Sequence, residues 1–223
     1  MSLLGKGAMT MWHQVKPGMA ADHDEWHSHE HIPERIGLPG FRRGRRCRSA
    51  DGESGWFIMY EVDDLAVLSS PAYLARLNDS SAWSCRIIPG LEDMNRTVST
   101  VRCSHGTGVG AFLVTIRFAP EDVADAERFA EHCRQGFVDL TRAKGVVGAH
   151  LLEGDRTVRH LRTREKSLRE EPDTVSDWIA LMEGYDRELL DAACDDWLNN
   201  ARVAGKLRRD RYQVNHVIAE ADL

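Results

Sequence analysis

The sequence predicts an α+β protein made of two successive repeats, each with the element order β-α-β-β-α-β, which is the ferredoxin-like plan. Three observations predict this fold class. Short alternating segments typical of strands are interleaved with segments whose apolar residues recur every three or four positions, as on one face of a helix. A glycine-rich stretch at residues 104–110 divides the 223-residue chain near its middle. The same element order occurs on both sides of that stretch.

The first half contains the predicted strands 9–16, 41–49, 56–62 and 95–103, which alternate or are rich in β-branched and aromatic side chains. Residues 20–32 form a short predicted helix. Pro33 should end it, because a proline disfavours helical backbone at the residue before it. A helix-like turn at residues 65–68 precedes a second predicted helix over residues 71–86.

The second half repeats this order, with strands predicted at residues 111–118, 146–152, 178–185 and 212–218. Its first helix should begin at Pro120-Glu121-Asp122, where proline and acidic residues are favourable. One apolar stripe then continues to Leu140. The second helix covers residues 188–202. Between them, the charged insert 156–176 has little apolar content and is predicted to be a surface excursion.

The predicted organisation is a flexible tail (1–8), a first repeat with the candidate site (9–104), a glycine-rich linker (105–110) and a second repeat (111–223). A four-stranded antiparallel sheet with helices on one face leaves its other face bare, which is a liability. A second sheet in tandem can cover that face. We therefore expect the two antiparallel sheets to pack face to face as a pseudo-dimer within one chain, and leave a further homodimer open.

The charge, hydropathy and cysteine content of the chain restrict the kinds of binding partner that we expect. The net charge is −6 and neither half is basic, which argues against nucleic acid as the main partner. No apolar run approaches the roughly 20 residues of a membrane-spanning helix, so no membrane partner is expected. The five cysteines are an odd number without a CxxC pair, which indicates reduced thiols and a cytoplasmic location.

One motif lies between the first strand and the arginine-rich second strand. After Trp26 it reads Glu30-His31-Ile32-Pro33-Glu34-Arg35 and then Leu38-Pro39-Gly40-Phe41. This pattern resembles the EthD-like branch of the dimeric α/β-barrel superfamily, whose members include small-molecule monooxygenases, muconolactone isomerase-like proteins and dye-decolourising peroxidases. The second half shares the element order but not the motif. The resemblance therefore implies a closed double-sheet barrel with a site in the first half only.

Histidines are concentrated on the first predicted helix. His23, His27 and His31 recur every four residues and would lie near one another on a helix. Two such histidines with a carboxylate such as Glu34 can hold a divalent metal, zinc or iron for example. Solvated or supporting histidines are the alternative that the pattern favours, and no metal ligand is assigned.

A helical wheel gives the expected orientation of these side chains. Trp26 should mark the buried stripe. On an ideal helix His31 lies about 140° away from it and points outward, while His23 and His29 lie about 60° to either side. A distortion before Pro33 would turn His31 inward.

The resemblance makes His31 the leading acid/base candidate, with His29 and His13 as its supporting groups. A histidine that titrates near neutrality is the natural proton shuttle. His13 shares one face of the first strand with apolar residues, so a buried core histidine is the plain alternative for it. His216 has the same two interpretations on the last strand.

The predicted substrate-binding residues are Trp26, Trp56, Tyr60 and Arg42. Trp56 and Tyr60 share one face of their strand, where they can line an apolar pocket or simply pack in the core. Arg42 belongs to a group of five arginines within residues 42–48. These could capture a carboxylate or phosphate, but the favoured interpretation is a solvated edge strand protected by charge.

The sequence thus predicts a barrel that binds a small, partly apolar organic molecule. If it is an enzyme, proton transfer or cofactor-free oxygenation of monooxygenase or isomerase type is expected. The alternatives are a non-catalytic binding or stress-associated protein and a haem-binding protein. No cofactor is required by the sequence, and haem or a divalent metal stays open.

Overall fold

A computed structural model of the chain describes residues 3–52, 55–119, 125–155, 163–169, 172–201 and 207–223. Its strands are β1 (Gly7–Val15), β2 (Phe41–Ser49), β3 (Trp56–Val62), β4 (Leu91–Gly106), β5 (Phe112–Phe118), β6 (Val146–Gly154), β7 (Trp178–Gly184) and β8 (Arg208–Ala219). Its helices are α1 (Ala20–Trp26), α2 (Ile32–Ile36), α3 (Pro71–Asn78), α4 (Ala82–Ile87), α5 (Ala126–Leu140), α6 (Arg164–Ser167) and α7 (Arg187–Ala201). A π-helical turn (His27–His31) joins α1 to α2, and short 3₁₀ turns cover Leu65–Ser69, Ile88–Gly90 and Glu220–Asp222.

The strands form one closed barrel in the order β1-β3-β2-β8-β5-β7-β6-β4. Within it, β4-β1-β3-β2 is one ferredoxin-like sheet and β8-β5-β7-β6 is the other. The sheets join edge to edge through the antiparallel pairs β2–β8 and β4–β6. The predicted fold class, two ferredoxin-like repeats that close one barrel, is confirmed. Closure leaves none of the eight described strands with a free edge.

The two repeats match position by position in the barrel. Glu61 and Glu183 are each the sixth residue of the third strand of their repeat, β3 and β7. Gly40 and Gly145 precede the second strands with φ of 88° and 86°, a backbone conformation that favours glycine. A Cβ on Gly40 would lie 2.5 Å from a side-chain atom of Val67, and one on Gly145 would lie 2.4 Å from Leu189 Cβ.

Alternation decides which side chains face the barrel interior. On β3, Phe57 and Met59 belong to an interior cluster with Trp12 and Leu181, whereas Trp56, Ile58 and Tyr60 pack towards the helices of the first repeat. The helices α5 and α7 cover the outer face of the second sheet in a separate apolar cluster. The first repeat therefore has its own space between sheet and helices, and the candidate site lies there. No helix of the described residues is long and apolar enough to cross a membrane.

The prediction of a solvated edge for the arginine-rich strand is wrong. β2 pairs with β3 on one side and with β8 on the other. Arg43 Nε donates to Glu61 Oε1 at 2.8 Å, and Arg45 Nη1 donates to Glu183 Oε1 at 2.8 Å, all four side chains being buried in the barrel. Burial alone would raise the pKa of Glu183, but Arg45 and His150 hold that pKa well below its ordinary range.

Several predicted boundaries need correction. Gly7 and Ala8 lie in β1 and Leu3 is buried, so residues 1–8 are not a flexible tail throughout. β4 continues to Gly106, which shortens the linker predicted at residues 105–110. The helix predicted over residues 71–86 is two helices, because Ser81 caps α4 by accepting a hydrogen bond from the Ser84 N–H. The predicted start of α5 at Pro120-Glu121-Asp122 lies outside the described residues.

The described part of the charged insert lies at the surface, half-buried or exposed, but it packs against the first repeat. Asn95 of β4 pairs with Thr174, and the Thr174 N–H donates to the carbonyl oxygen of Met94 at 2.9 Å. The Arg164 N–H donates to Asn78 Oδ1 of α3 at 3.0 Å. This segment of the second repeat therefore lies over the first repeat, where α6 covers the space between the first sheet and its helices. Residues 156–162 and 170–171 of the insert lie outside the described part of the chain.

Candidate functional site

The backbone between α1 and α2 positions the histidines. The Ile32 N–H donates to the carbonyl oxygen of His27, five residues back, so residues His27–His31 form a π-helical turn that is wider than an α-helical one. Pro33 follows in the first turn of α2, where its missing N–H is tolerated. The helix thus continues past Pro33 to Ile36, against the prediction that it ends there. The wide turn brings His31 inward and leaves His29 exposed.

A small cavity of about 50 Å³ lies between the sheet of the first repeat, its helices and α6. Four buried histidines line it, His13 from β1, His23 from α1, and His27 and His31 from the π turn. The rest of the lining is mainly apolar, with charged side chains from the insert at one end. These residues are Met11, Trp26, Ile58, Leu68, Tyr73, Leu77, Ile88, Leu91, Met94, Arg96, Thr163, Glu165, Lys166, Arg169 and Asp173.

The four histidine rings form a continuous row. Ring centroids are 5.1 Å apart for His13 and His23, 5.4 Å for His23 and His27, and 5.3 Å for His27 and His31. His31 ends the row against Trp26, with centroids 4.2 Å apart. The row therefore runs from the first strand of the barrel to the end of the π turn.

One end of the row is joined by hydrogen bonds. His13 Nε2 and His23 Nε2 are 3.1 Å apart, and His23 Nδ1 is 3.1 Å from Asp24 Oδ1. Trp56 Nε1 donates to the same Asp24 oxygen at 2.8 Å. At the other end of the row, the Nδ1 atoms of His27 and His31 are buried and have no hydrogen-bond partner among the described residues.

Burial keeps these imidazoles neutral. Desolvation lowers the pKa of His13, His27 and His31 well below 6.5, and the positive charge of Arg35 lowers the pKa of His31 further. Desolvation also lowers the pKa of His23, but the Asp24 carboxylate opposes that shift. At neutral pH the cavity therefore presents imidazoles with lone pairs, which can accept a proton.

The structure separates the predicted site residues into two groups. His31, His13 and Trp26 line the cavity. His29 does not, because its side chain is 69% exposed and lies 3.3 Å from Glu25 on the outer side of the helix. Arg42 is also outside the site, since it is exposed and forms ion pairs with Asp63 and Glu220.

Trp56 and Tyr60 lie behind the cavity. Trp56 stacks on His13 with ring centroids 6.1 Å apart, and its Nε1 donates a hydrogen bond to Asp24. Trp56 therefore positions His13 and the Asp24 carboxylate without lining the cavity. Tyr60 is fully buried, packs against Phe41, and its hydroxyl has no hydrogen-bond partner within the described chain. Burial raises the pKa of Tyr60 far above its ordinary range, so this hydroxyl stays protonated.

Other residues of the site could not be found by sequence reasoning. Arg96 Nη2 donates to Tyr73 Oη at 3.1 Å beside the cavity, which joins β4 to α3. Glu165 of α6 forms an ion pair with the buried Arg35 of α2. These contacts join segments far apart in sequence, and no local pattern predicts them. Asp24 could have been found from the sequence, because it is a carboxylate directly after His23 in the histidine-rich segment.

The described residues do not fit a resident metal or haem. No group of three or more His, Cys, Asp and Glu side chains in the described ranges is arranged to hold a metal ion. In particular, Glu34 forms ion pairs with Arg35 and Arg76. A cavity of about 50 Å³ has room for a few water molecules, not for a porphyrin macrocycle.

A second, more open cavity of about 370 Å³ lies at one mouth of the barrel. His13 and Met94 line both cavities. The larger cavity is polar, and it includes the buried Arg117, whose guanidinium lies 4.3 Å from the ring centre of Trp12 and whose Nη2 donates to Asp210 Oδ2 at 2.7 Å. His13 therefore lies between an apolar cavity and a polar one.

Comparison with known proteins shows the fold. No family model and no curated protein matches the sequence. Among solved structures, an anthrone oxidase-like protein has a TM-score of 0.67 at 13% identity, covering 97% of this chain and 94% of its own. A protein of proposed monooxygenase activity from Fusobacterium nucleatum has a TM-score of 0.60 at 11% identity, with coverages of 97% and 96%. Another from Lactobacillus acidophilus has a TM-score of 0.59 at 7% identity, with coverages of 96% and 97%.

Proposed function

Because the chain has the dimeric α/β-barrel fold, closed here by two repeats of one polypeptide, we propose that it is an enzyme that binds a small, partly apolar organic molecule in the histidine-lined cavity. In this proposal His31 accepts a proton from the bound molecule. The observation that carries the proposal is a buried imidazole, His31, whose Nδ1 has no partner among the described residues although the site is desolvated. An unsatisfied buried nitrogen costs stability, and such groups are expected where function requires them.

Three features support proton transfer. The histidines are neutral at physiological pH because burial lowers their pKa values, so they can act as bases without first losing a proton. The apolar lining from Met11, Ile58 and Leu77 favours an apolar substrate body. Arg96, at the same cavity, carries a positive charge that can stabilise the anion left when the proton is removed.

The reaction class that we propose is oxygenation of a substrate with an acidic C–H or O–H group. The base takes the proton, the electron pair stays on the substrate, and the resulting anion is the species that reacts with molecular oxygen. This class agrees with the anthrone oxidase-like protein and the proteins of proposed monooxygenase activity that share the fold. Isomerisation would use the same proton removal and return the proton to another carbon.

The cavity as described is smaller than such a substrate. Binding therefore requires that α6 moves away from α2 and α3, to which it is joined by the Arg35–Glu165 ion pair and by the hydrogen bond from the Arg164 N–H to Asn78 Oδ1. These two contacts are polar, and the only apolar residue of the segment in the clusters of the described chain is Leu168, which packs against Trp26 and its neighbours. The sheet and α2, by contrast, are packed by many apolar side chains. The segment from the second repeat thus acts as the cover of the first repeat's site.

The experiment that tests this proposal measures oxygen consumption with anthrone as the probe substrate. We expect His31→Gln to lower the rate by about 10²-fold or more, the typical contribution of a general base. His29→Gln is the matched control, since His29 lies on the same turn but is exposed, and its rate should stay within about twofold of the parent protein. Equal rates for the parent and for His31→Gln would contradict the proposal.

We further propose a cytoplasmic location, supported by five free cysteines, of which Cys47, Cys103, Cys133 and Cys194 are buried. The EthD-like branch remains the prediction of the Trp26–Phe41 motif. This location is tested by alkylating the denatured protein and counting the modified cysteines. We expect all five to react, whereas a disulfide in the purified native protein would argue against a reducing compartment.

A further inference from the structure

The contacts of Asp24 fix the proton positions on two histidines. An ionised carboxylate only accepts hydrogen bonds, so the His23 Nδ1 that lies 3.1 Å from Asp24 Oδ1 must carry a hydrogen. A neutral imidazole has one N–H and one lone pair. The lone pair of His23 is therefore on Nε2, which lies 3.1 Å from His13 Nε2.

The same reasoning continues to His13. Because His23 Nε2 accepts, His13 Nε2 must be the donor in that contact. The lone pair of neutral His13 is then on Nδ1. That atom is buried and has no hydrogen-bond partner among the residues that the structure describes. A single carboxylate thus determines, through two rings, which nitrogen of His13 can accept a proton.

We propose that His13, His23 and Asp24 form a proton relay, in which His13 Nδ1 is a second proton acceptor of the site and Asp24 is its positioning residue. This inference rests on the proposed function, and it adds an acid/base group that the His31 assignment does not include. His13 lines both the apolar cavity and the polar cavity at the barrel mouth. The relay therefore begins at a histidine that borders both the substrate space and a polar space.

The relay moves charge without moving heavy atoms. A proton that enters at His13 Nδ1 forms a new N–H bond there. The N–H bond at His13 Nε2 breaks as its proton passes to His23 Nε2. His13 is again neutral, with its lone pair now on Nε2, and His23 becomes an imidazolium beside Asp24. When the proton later returns along the same path, the original tautomers are restored.

The surroundings explain why the charge should end on His23. His13 is fully enclosed, and desolvation lowers its pKa strongly. His23 is also buried, but its Nδ1–H donates to an ionised carboxylate, which stabilises the positive charge. The pKa of Asp24 lies below its ordinary value because hydrogen bonds from His23 and Trp56 offset its burial, so this carboxylate is charged at neutral pH.

Other charged groups also face the relay. From β2, Arg46 Nε and Arg48 Nη1 each lie 3.6 Å from an Asp24 oxygen. From the insert, Arg169 adds positive charge near His13, and His27 lies beside His23 on the π turn. The cations lower the pKa of both relay histidines, so Asp24 is the group that makes a positive charge on His23 tolerable.

The test is nitrogen NMR of the full-length protein labelled at its histidines, which needs no substrate. We expect His13 to carry its proton on Nε2 and His23 on Nδ1 at neutral pH. Asp24→Asn keeps an oxygen that can accept from Trp56 Nε1 but removes the charge. In this variant the titration midpoint of His23 should fall by about one pKa unit or more. Glu25→Gln is the matched control, since it removes an equal charge from the next residue, on the exposed side of the helix.

A second variant tests the relay itself. His13→Gln keeps an N–H donor that can reach His23 Nε2 but has no second ring nitrogen to accept a proton. We expect the tautomer of His23 to be kept and anthrone-dependent oxygen consumption to fall at least about tenfold, with the KM for anthrone less affected than kcat. Unchanged kcat in His13→Gln would overturn the relay.

The outcomes separate this inference from the proposed function. A His13 tautomer with its proton on Nδ1, or an Asp24→Asn variant whose His23 titrates as in Glu25→Gln, would overturn the relay even if His31 proves essential for turnover. Conversely, if His31→Gln retains full turnover, the proposed role of His31 fails. The tautomers and the Asp24 dependence measured by NMR would then still support the relay.

Discussion

Trp26 and His31 pack with ring centroids 4.2 Å apart although His31 follows Trp26 by five positions along one helical segment. In a regular α-helix these two side chains would point about 140° apart. The π-helical turn between them has about one more residue per turn, which brings residue i+5 back over residue i. The histidine that an ideal helix would expose is therefore buried, 6% exposed, against a tryptophan of the core.

Replacing His31 should separate function from stability. In His31→Leu the unpartnered buried Nδ1 is removed, which relieves a cost of about 1–3 kcal/mol, while the loss of the Trp26 contact costs about 0.5–1.5 kcal/mol. We expect the free energy of unfolding to stay unchanged or to rise by about 1 kcal/mol, measured by urea denaturation. His150→Leu is the matched comparison, because His150 is equally buried but bonded to Ser104 and Glu183, and it should lose about 2 kcal/mol or more. A large loss for His31→Leu would show that this histidine is needed for folding.

Stability should depend on pH between about 5 and 7. The pKa values of His13, His27 and His31 are lowered well below 6.5 in the folded chain and return towards 6.5 on unfolding. Below pH 6.5 the unfolded chain therefore binds more protons than the folded one, so the free energy of unfolding falls as pH falls, by up to about 1.4 kcal/mol per pH unit for each histidine. Urea denaturation at pH 7.5, 6.5 and 5.5 measures this slope. His31→Leu should reduce this slope by the contribution of one histidine. A slope of zero over this range would refute the prediction.

The arginine that joins the two repeats should be more important for stability than its exposed neighbour. Arg45→Met leaves the buried Glu183 and Glu61 without their shared cation and should cost about 3–5 kcal/mol. Arg42→Met removes solvent-screened surface ion pairs and should change the free energy of unfolding little. Adding Glu183→Gln to Arg45→Met should recover part of the loss in a double-mutant cycle of unfolding free energies. Equal effects of the two arginine substitutions would contradict the buried role of Arg45.

The cover over the site can be loosened at one ion pair. Glu165→Gln removes the charge by which α6 contacts Arg35, so we expect anthrone to associate several-fold faster, as measured by stopped-flow quenching of tryptophan fluorescence. Glu34→Gln is the control, since Glu34 also contacts Arg35, at 3.5 Å, but lies on α2 and not on the cover. Association at the parent rate in Glu165→Gln, or an equal acceleration in Glu34→Gln, would count against α6 as the cover.

Much of the fold was readable from local patterns. The alternation of β3 correctly separates Trp56, Ile58 and Tyr60 from Phe57 and Met59. The repeated element order correctly predicts two ferredoxin-like sheets. Alternation and helical periodicity depend only on neighbouring residues, so the chain itself shows which face of each element is apolar.

The site was only partly predictable. The density of histidines around Trp26 identifies the segment, and His31, His13 and Trp26 do line the cavity. The helical wheel gives the wrong side for His31 and His29, because it assumes a regular turn where the chain forms a wider one. Arg42 belongs to a run of arginines whose carboxylate partners all lie outside that run, so the spacing of the run cannot show which arginine faces the site.

The sequence by itself determined the order of elements, the duplication, the apolar faces and the segment that carries the histidines, because all of these are written in local spacing. Only the tertiary structure decided that β2 pairs with β8, that Arg45 is buried beside Glu183, and that a segment of the second repeat covers a cavity of the first. These are long-range contacts. Whether an arginine is solvated or buried depends on a carboxylate 138 residues away, and nothing in the spacing of its own strand reports that partner.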